Sequence, residues 1–193
     1  LFQARKYWKQ KKRREDGQQE ETGWEEDFRY ECWIPVFEKK IPLKAHVHRV
    51  DDIFTAIRIA REFDLEMTLD HCSEGHLVAD ELAKEGFPAI VGPDLSSRSK
   101  IEVQNVAFKT AGILNAAGVK VAITTDHPVS LIQSLPICAG FCVKSGMDMD
   151  AAMRAITIHA AQICNVADRV GSLEVGKDAD IAIFDNLPLR VEA

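Results

Sequence analysis

From Ile41 onward the chain alternates short apolar runs with longer segments of helical period, and few folds accommodate that alternation. Ile41 to Ala45, Leu65 to Leu69, Pro88 to Val91 and Val119 to Ile123 read as strands. Between them, Asp51 to Phe63 carries Ile53, Ala56, Ile57 and Ala60 on one helical face. Gly75 to Glu85 turns Leu77, Val78, Leu82 and Ala83 inward, and Val103 to Ala117 reads as a third helix. Pro128 to Ser145 is apolar and helical after Pro136. Met149 to Val166 follows as one helix, capped by Asp148 or Asp150. Strands alternating with helices imply βαβ units, so the expected class is α/β with a parallel sheet whose strands are buried on both faces.

The two ends of the chain differ from this body. Arg5 to Lys40 is dense in charge, a basic block from Lys9 to Arg14 preceding an acidic one from Glu20 to Asp27. Tyr7 to Arg14 reads as the end of a solvated helix, Glu15 to Gly23 as a polar loop, and Trp24 to Lys40 as a helix broken at Pro35. After the last helix, Gly171 to Lys177 is turn-like and Ala179 to Phe184 reads as a strand, a piece of a second, all-β unit. Gly171, Gly176 and Lys177 imitate a phosphate-binding loop. The next residue is Asp178, where Ser or Thr should hold magnesium, and a strand follows where a helix N-terminus is needed.

The strand ends carry the chemistry. The first apolar run leads into His46, with His48 two residues on. The second leads into His71, with His76 nearby, and the fourth into Asp126 and His127. In a parallel α/β protein the C-terminal strand ends share one face, and the site lies there. Two neutral imidazoles and a carboxylate suit a divalent transition metal such as zinc, which polarises a carbonyl and acidifies water. The carboxylate would take the water's proton and pass it to a leaving group. His159, on the apolar side of its helix, reads as a core histidine.

Composition excludes other classes. Twenty-four Lys+Arg against 30 Asp+Glu give a net charge of −6, which disfavours a nucleic-acid binder. No apolar run approaches a membrane span, and the first residues do not read as a signal peptide. The cysteines Cys32, Cys72, Cys138, Cys142 and Cys164 are odd in number with no C-x-x-C pair, which argues against a disulfide framework and for a cytoplasmic protein. The chain lacks an initiator Met, so it need not begin where translation begins.

The stretch from Gly171 to Asp185 (GSLEVGKDADIAIFD) resembles the closing signature of the metal-dependent amidohydrolase superfamily. Ala45-His46-Val47-His48-Arg49, Asp70-His71-Cys72 and Thr125-Asp126-His127-Pro128 resemble that superfamily's fifth, sixth and eighth barrel strand ends. The group most similar is the imidazolonepropionase-like amidohydrolases, which also include prolidase-like dipeptidases. The resemblance covers about residues 41 to 187. It implies a (β/α)8 barrel and a small β-sandwich, of which this chain holds strands five to eight and a return segment. The implied division is a charged segment before strand five (1–40), the C-terminal half barrel (41–168) and sandwich strands (169–193). It implies His46 and His71 as metal ligands and Asp126 as both ligand and catalytic proton shuttle. His46 is preferred to His48 because the strand pattern ends there. His48, His76, Arg98 and His127 would contact substrate, Arg98 from the loop Asp94 to Lys100. The cofactor would be zinc, with iron or manganese as alternatives, and the substrate a small amide, cyclic amide or peptide. A homo-oligomer is compatible with all of this.

One departure keeps alternatives open. The family carries a His-x-His pair on its first barrel strand, and many members a lysine on the fourth. The first forty residues here contain no histidine, and a full barrel takes about 250 residues. The expectation is therefore the C-terminal portion of a longer hydrolase. The rivals are a non-catalytic remnant that binds metal or a partner subunit, and an α/β protein with no metal.

Overall fold

The computed structural model describes residues 1–18 and 24–190. The second half of the polar loop expected over Glu15 to Gly23, the start of the acidic block and the last three residues of the closing segment lie outside them. Helix α1 (Phe2–Glu15) leads to two short helices, α2 (Phe28–Glu31) and α3 (Ile34–Phe37). The body then follows as β1 (Leu43–Val47), α4 (Val50–Phe63), β2 (Met67–His71), α5 (Ala79–Glu85), β3 (Ala89–Val91), α6 (Lys109–Ala116) and β4 (Val121–Ile123). Helices α7 (Leu135–Lys144), α8 (Met149–Ala155) and α9 (Ile158–Ile163) close it.

All four strands are parallel and lie in the order β1-β2-β3-β4. Each strand pairs with the next in sequence, so the winding never reverses. A doubly wound sheet reverses once; an arc of a barrel does not. Register divides the sheet into two kinds of row. Ala45, Leu69, Ala89 and Val121 form one row, and Val47, His71, Val91 and Ile123 the next. Apart from His71, these residues join or pack on one core with Ile53 and Ile57 of α4, Leu82 of α5, Leu114 of α6 and Cys138 and Cys142 of α7. The alternate positions of β1, Lys44 and His46, are exposed. Burial on both faces therefore fails for β1, while the inner-face positions Thr68 of β2 and Ala122 of β4 are buried.

Several boundaries differ from the sequence reading, each for a local reason. β1 and β2 start and end two residues later than their apolar runs: Leu65 is buried in the core before β2 begins, whereas Ile41 stands exposed before β1. Pro35 does not break a helix but stands in the first turn of α3, where its missing N–H has no partner to lose. The helices expected over Gly75–Glu85 and Val103–Ala117 shorten to α5 and α6, each preceded by a separate 3-10 turn, Gly75–Leu77 and Ile101–Val103. The helix expected over Met149–Val166 breaks at Thr157 (φ −130°, ψ −102°) into α8 and α9. Asp148 is the cap, its carboxylate accepting from the Ala151 N–H at 2.9 Å. His159 is half-buried rather than a core residue, with the Arg154 Nε–H donating to its Nε2 at 3.3 Å.

The strand expected over Ala179–Phe184 does not form. Ile181, Ile183 and Phe184 stand 63%, 94% and 56% exposed. Period-two patterning stabilises a strand only when another strand accepts its backbone groups, and no such partner lies beside this segment among the described residues. Gly171 to Asp178 closes instead into a loop. There Lys177 Nζ donates to Ser172 Oγ at 2.6 Å, and Arg169 pairs with Asp178 at 2.6 Å. No helix follows it among the described residues, as the mismatch to a phosphate loop at Asp178 implies.

The charged first forty residues are not merely a solvated face. Tyr7 stacks near Trp24 (4.9 Å between centroids) and Tyr30 (5.6 Å), and Trp8 lies on Phe37 (5.4 Å). Ala4, Val36 and Phe37 are part of the main core.

Two outcomes follow from this packing. Leu69 is fully buried in the middle of the sheet, so Leu69→Ala lowers unfolding free energy by about 2–5 kcal/mol in urea titration. Asp94, in the turn after β3, is desolvated by its surroundings, which pushes its carboxyl up to about 7 from 3.8. The unfolded chain ionises at the ordinary value. The folded state therefore binds the extra proton between those limits, and its stability is complete below 3.8 and erodes as pH rises through 7. Asp94→Asn removes that erosion: the variant's urea midpoint exceeds the parent's above pH 7, and the gain vanishes below 3.8.

Candidate metal centre at the strand ends

Three histidines converge at the C-terminal ends of β1 and β2. His46 lies within β1, His48 just beyond it, and His71 ends β2. Register pairs His71 with Val47, whose side chain belongs to the helix-covered face. Strand alternation would send His71 the same way. Its backbone prevents this: His71 (φ 71°) and Cys72 (φ 47°) are both left-handed, the region that non-glycine residues rarely occupy. The imidazole thus reaches across to His46. Asp126 after β4 is left-handed as well (φ 49°). Such strain clusters at functional sites.

The contacts are close. His48 Nε2 lies 3.1 Å from His46 Nε2, and His71 Nε2 lies 3.2 Å from His46 Nδ1. The rings of His48 and His71 stack at 13° with centroids 4.9 Å apart. One ligand nitrogen from each of the three falls within 4.8 Å of the others. Ligands at about 2.0–2.1 Å from a tetrahedral zinc stand about 3.3 Å apart. The two short separations use different nitrogens of His46, which can give one metal only one of them, so one of the two pairs already has ligand spacing and the third ring closes on it from within 4.8 Å. Three soft-enough nitrogen donors with no opposing cation among them fit a divalent transition metal.

Two further groups hold the rings. His71 Nδ1 meets the Gly92 carbonyl oxygen at 2.7 Å, and His48 Nδ1 meets Ser73 Oγ at 2.8 Å. Metal-binding histidines characteristically use their second nitrogen in this way. Gly92 must be glycine: it sits at φ 122°, and a Cβ there would overlap the Thr124 carbonyl. Burial, then the neighbouring His71 and His46, hold the His48 imidazole below its ordinary value and so favour the neutral form that can bind a cation.

The other residues expected at the site are dispersed. Asp126 is exposed and lies outside the imidazole group, but it lines with His71, Asp70, Lys44, Thr124 and Ala160 of α9 a cleft of about 330 Å³ on the inner face. His127 is exposed beside it. Arg98 spans its loop, donating to the Val106 carbonyl at 2.8 Å. His76 turns toward α6, where it meets Thr110 Oγ1 at 3.0 Å. A larger cleft of about 480 Å³ lies at the opposite strand ends, lined by Lys39, Arg61, Glu66 and Lys120, away from the end where barrel chemistry is built. Ser73 and the Gly92 carbonyl escaped the sequence reading. Neither residue type signals a site, and only the fold brings them under the histidines.

Comparison with known proteins places the fold in a family. Residues 38–192 match the model of the amidohydrolase family. Amidohydrolase tasK of Hapsidospora irregularis is 24% identical over 172 residues, 87% of this chain and 18% of that protein. An imidazolonepropionase of Brevibacillus brevis is 49% identical over 71 residues, 35% of this chain and 17% of that one. The crystal structure of an amidohydrolase from Thermotoga maritima superposes with a TM-score of 0.89 at 33% identity, over 97% of this chain and 49% of the other. The chain thus spans at most about half the length of these relatives. With 155 of its 193 residues inside the family match (38 to 192), the chain belongs to the amidohydrolase family.

Proposed function

We propose that this chain carries a metal-binding half of a hydrolase that cleaves C–N bonds in amides, cyclic amides or small peptides. The observation that carries the reading is the convergence of His46, His48 and His71 at strand ends, two of them buried and anchored through their second nitrogens. In this reading the sheet is the C-terminal half of a (β/α)8 barrel, strands five to eight, followed by a return segment of a small β-sandwich. The unreversed strand order and the exposed inner-face positions of β1, Lys44 and His46, support it. So do the apolar residues left exposed at Ile181 and Ile183. Cytoplasmic location and assembly with further copies are part of the same proposal, the former supported by five cysteines all free of disulfides.

His46 and His71 would hold the metal, with His48 as the third imidazole and Asp126 as the carboxylate; zinc fits these donors best, with iron or manganese as alternatives. A divalent cation supplies Lewis acidity, polarising the scissile carbonyl and lowering the pKa of water. This chain's residues do the rest. Asp126, on the cleft shared with His71, takes the proton of the attacking water on a carboxylate oxygen and returns it to the departing nitrogen. His127 and Arg98, on the loops that follow β4 and β3, would contact substrate. His76 would do so only by leaving Thr110.

Zinc titration against a chromogenic chelator tests the ligands. The parent binds one equivalent, and His46→Ala and His71→Ala each weaken binding by more than about 100-fold, beyond what loss of a supporting residue costs. Variants that bind zinc like the parent contradict the assignment. In the whole protein, Asp126→Asn keeps zinc on the imidazoles and lowers amide hydrolysis by about 10²–10⁴. Unchanged turnover removes Asp126 from the mechanism. Zinc binding without any hydrolysis by the parent leaves the metal-binding remnant as the reading.

A further inference from the structure

The hydrogen bonds among the histidines form one continuous run whose direction is decided at one end. A carbonyl oxygen can only accept, so His71 donates to Gly92 from Nδ1 and its Nε2 is left bare. With neutral rings, His46 must then donate to His71 from Nδ1, which leaves His46 Nε2 bare. His48 in turn donates to His46 from Nε2, and its Nδ1 must accept. The proton it accepts is that of the Ser73 hydroxyl. The metal-free arrangement is therefore Ser73 O–H to His48, His48 N–H to His46, His46 N–H to His71, and His71 N–H to the Gly92 carbonyl.

This order gives the three rings unequal standing toward a cation. His46 and His71 each turn a bare Nε2 toward a neighbouring ring, while the bare nitrogen of His48 is the Nδ1 that faces Ser73 and its Nε2 carries the proton. A ring nitrogen binds metal only through a bare lone pair. His48 can join the set only by releasing the Nε2 proton to solvent and taking one at Nδ1. Charge and proton count are unchanged. The group facing Nδ1 must then accept where it formerly donated. A hydroxyl can do both by rotating about its Cβ–Oγ bond; a carboxylate or carbonyl can only accept and an amine cation only donate.

Ser73 is placed for this with little freedom. It is buried at 4% exposure. Backbone bonds flank it on both sides: the Cys72 N–H donates to the Val47 carbonyl at 2.9 Å, and the Glu74 N–H to the His48 carbonyl at 2.8 Å. The Glu74 carboxylate accepts from the Val50 N–H at the start of α4 and from Asn105 Nδ2, both at 2.8 Å. These bonds carry the β1–β2 pairing past the strand ends and fix the hydroxyl against the ring.

We infer that Ser73 is the positioning residue for His48, a reversible hydroxyl partner whose turn from donor to acceptor switches the His48 tautomer and admits that ring to the metal. The inference rests on the metal-site reading above and adds to it a residue and a proton position. It is tested by ¹⁵N NMR of the imidazoles in the full chain, without metal and with zinc, together with zinc affinity. Without metal, the proton of His48 is on Nε2 and those of His46 and His71 on Nδ1; with zinc, the His48 proton is on Nδ1. Ser73→Ala weakens zinc binding by about 10–100-fold, the usual effect of losing such a partner, and Ser73→Thr, which keeps the hydroxyl, restores it. If Ser73→Ala fails to fold, the tautomers of the parent and the affinity of the threonine variant decide. A His48 proton on Nδ1 in the metal-free chain, or on Nε2 with zinc bound, overturns the switch. So does a folded alanine variant with the parent's affinity, or a folded threonine variant without it. A parent that binds no zinc overturns the metal-site reading and the metal half of the switch with it, while the metal-free tautomers still decide the donor order.

Discussion

The hydrogen bond from His71 Nδ1 to the Gly92 carbonyl orders the rest of the site. It ties the end of β2 to the turn after β3, and it exists only because two left-handed residues swing His71 off the apolar face its register assigns it. Gly92 can offer its carbonyl there because it has no side chain to meet Thr124. The bond also sets a polarity. An oxygen without a proton at one end fixes which nitrogen is bare on each ring in succession, as far as Ser73. One backbone acceptor thus governs position and protonation over three strand-end histidines.

The same sheet explains why chemistry gathers on one side. Parallel strands wound in one direction place the crossover helices α4, α5 and α6 on one face and every C-terminal strand end on one rim, while α9 reaches the cleft on the other face through Ala160. The helix face is filled by a continuous core running from Val47 to Cys142. The inner face keeps polar groups: Lys44 pairs with Asp70 at 3.2 Å, and Thr68 donates to the same carboxylate at 2.7 Å. These groups lie beneath the histidines, and the cleft that joins them to Asp126 opens from the same face.

Much of this is legible in the residues. The four apolar runs mark four strands in the right order, and the helix periods between them mark the crossovers, because a half-buried helix and a buried strand leave different spacings. His46 and His71 stand out by falling at strand ends. What cannot be read depends on neighbours remote in sequence. Ser73 and His48 are 25 residues apart, and nothing local shows that their bond exists. The left-handed turn of His71 has no marker in its residue type. Ala179 to Phe184 shows the reverse error: its alternation is a strand pattern, but a strand also needs a partner, and pattern alone does not supply one. Pro35 reads as a breaker because proline has both roles, and only its place in the first turn chooses between them.

The most direct measurement of the proposed metal centre is X-ray absorption at the zinc edge on the zinc-loaded protein. Three imidazole nitrogens from this chain predict a first shell of nitrogen and oxygen at about 2.0–2.1 Å, with the outer-ring scattering of three histidines and no sulfur at the longer zinc–sulfur distance. Fewer than three imidazoles, or a shell containing cysteine sulfur, would contradict it.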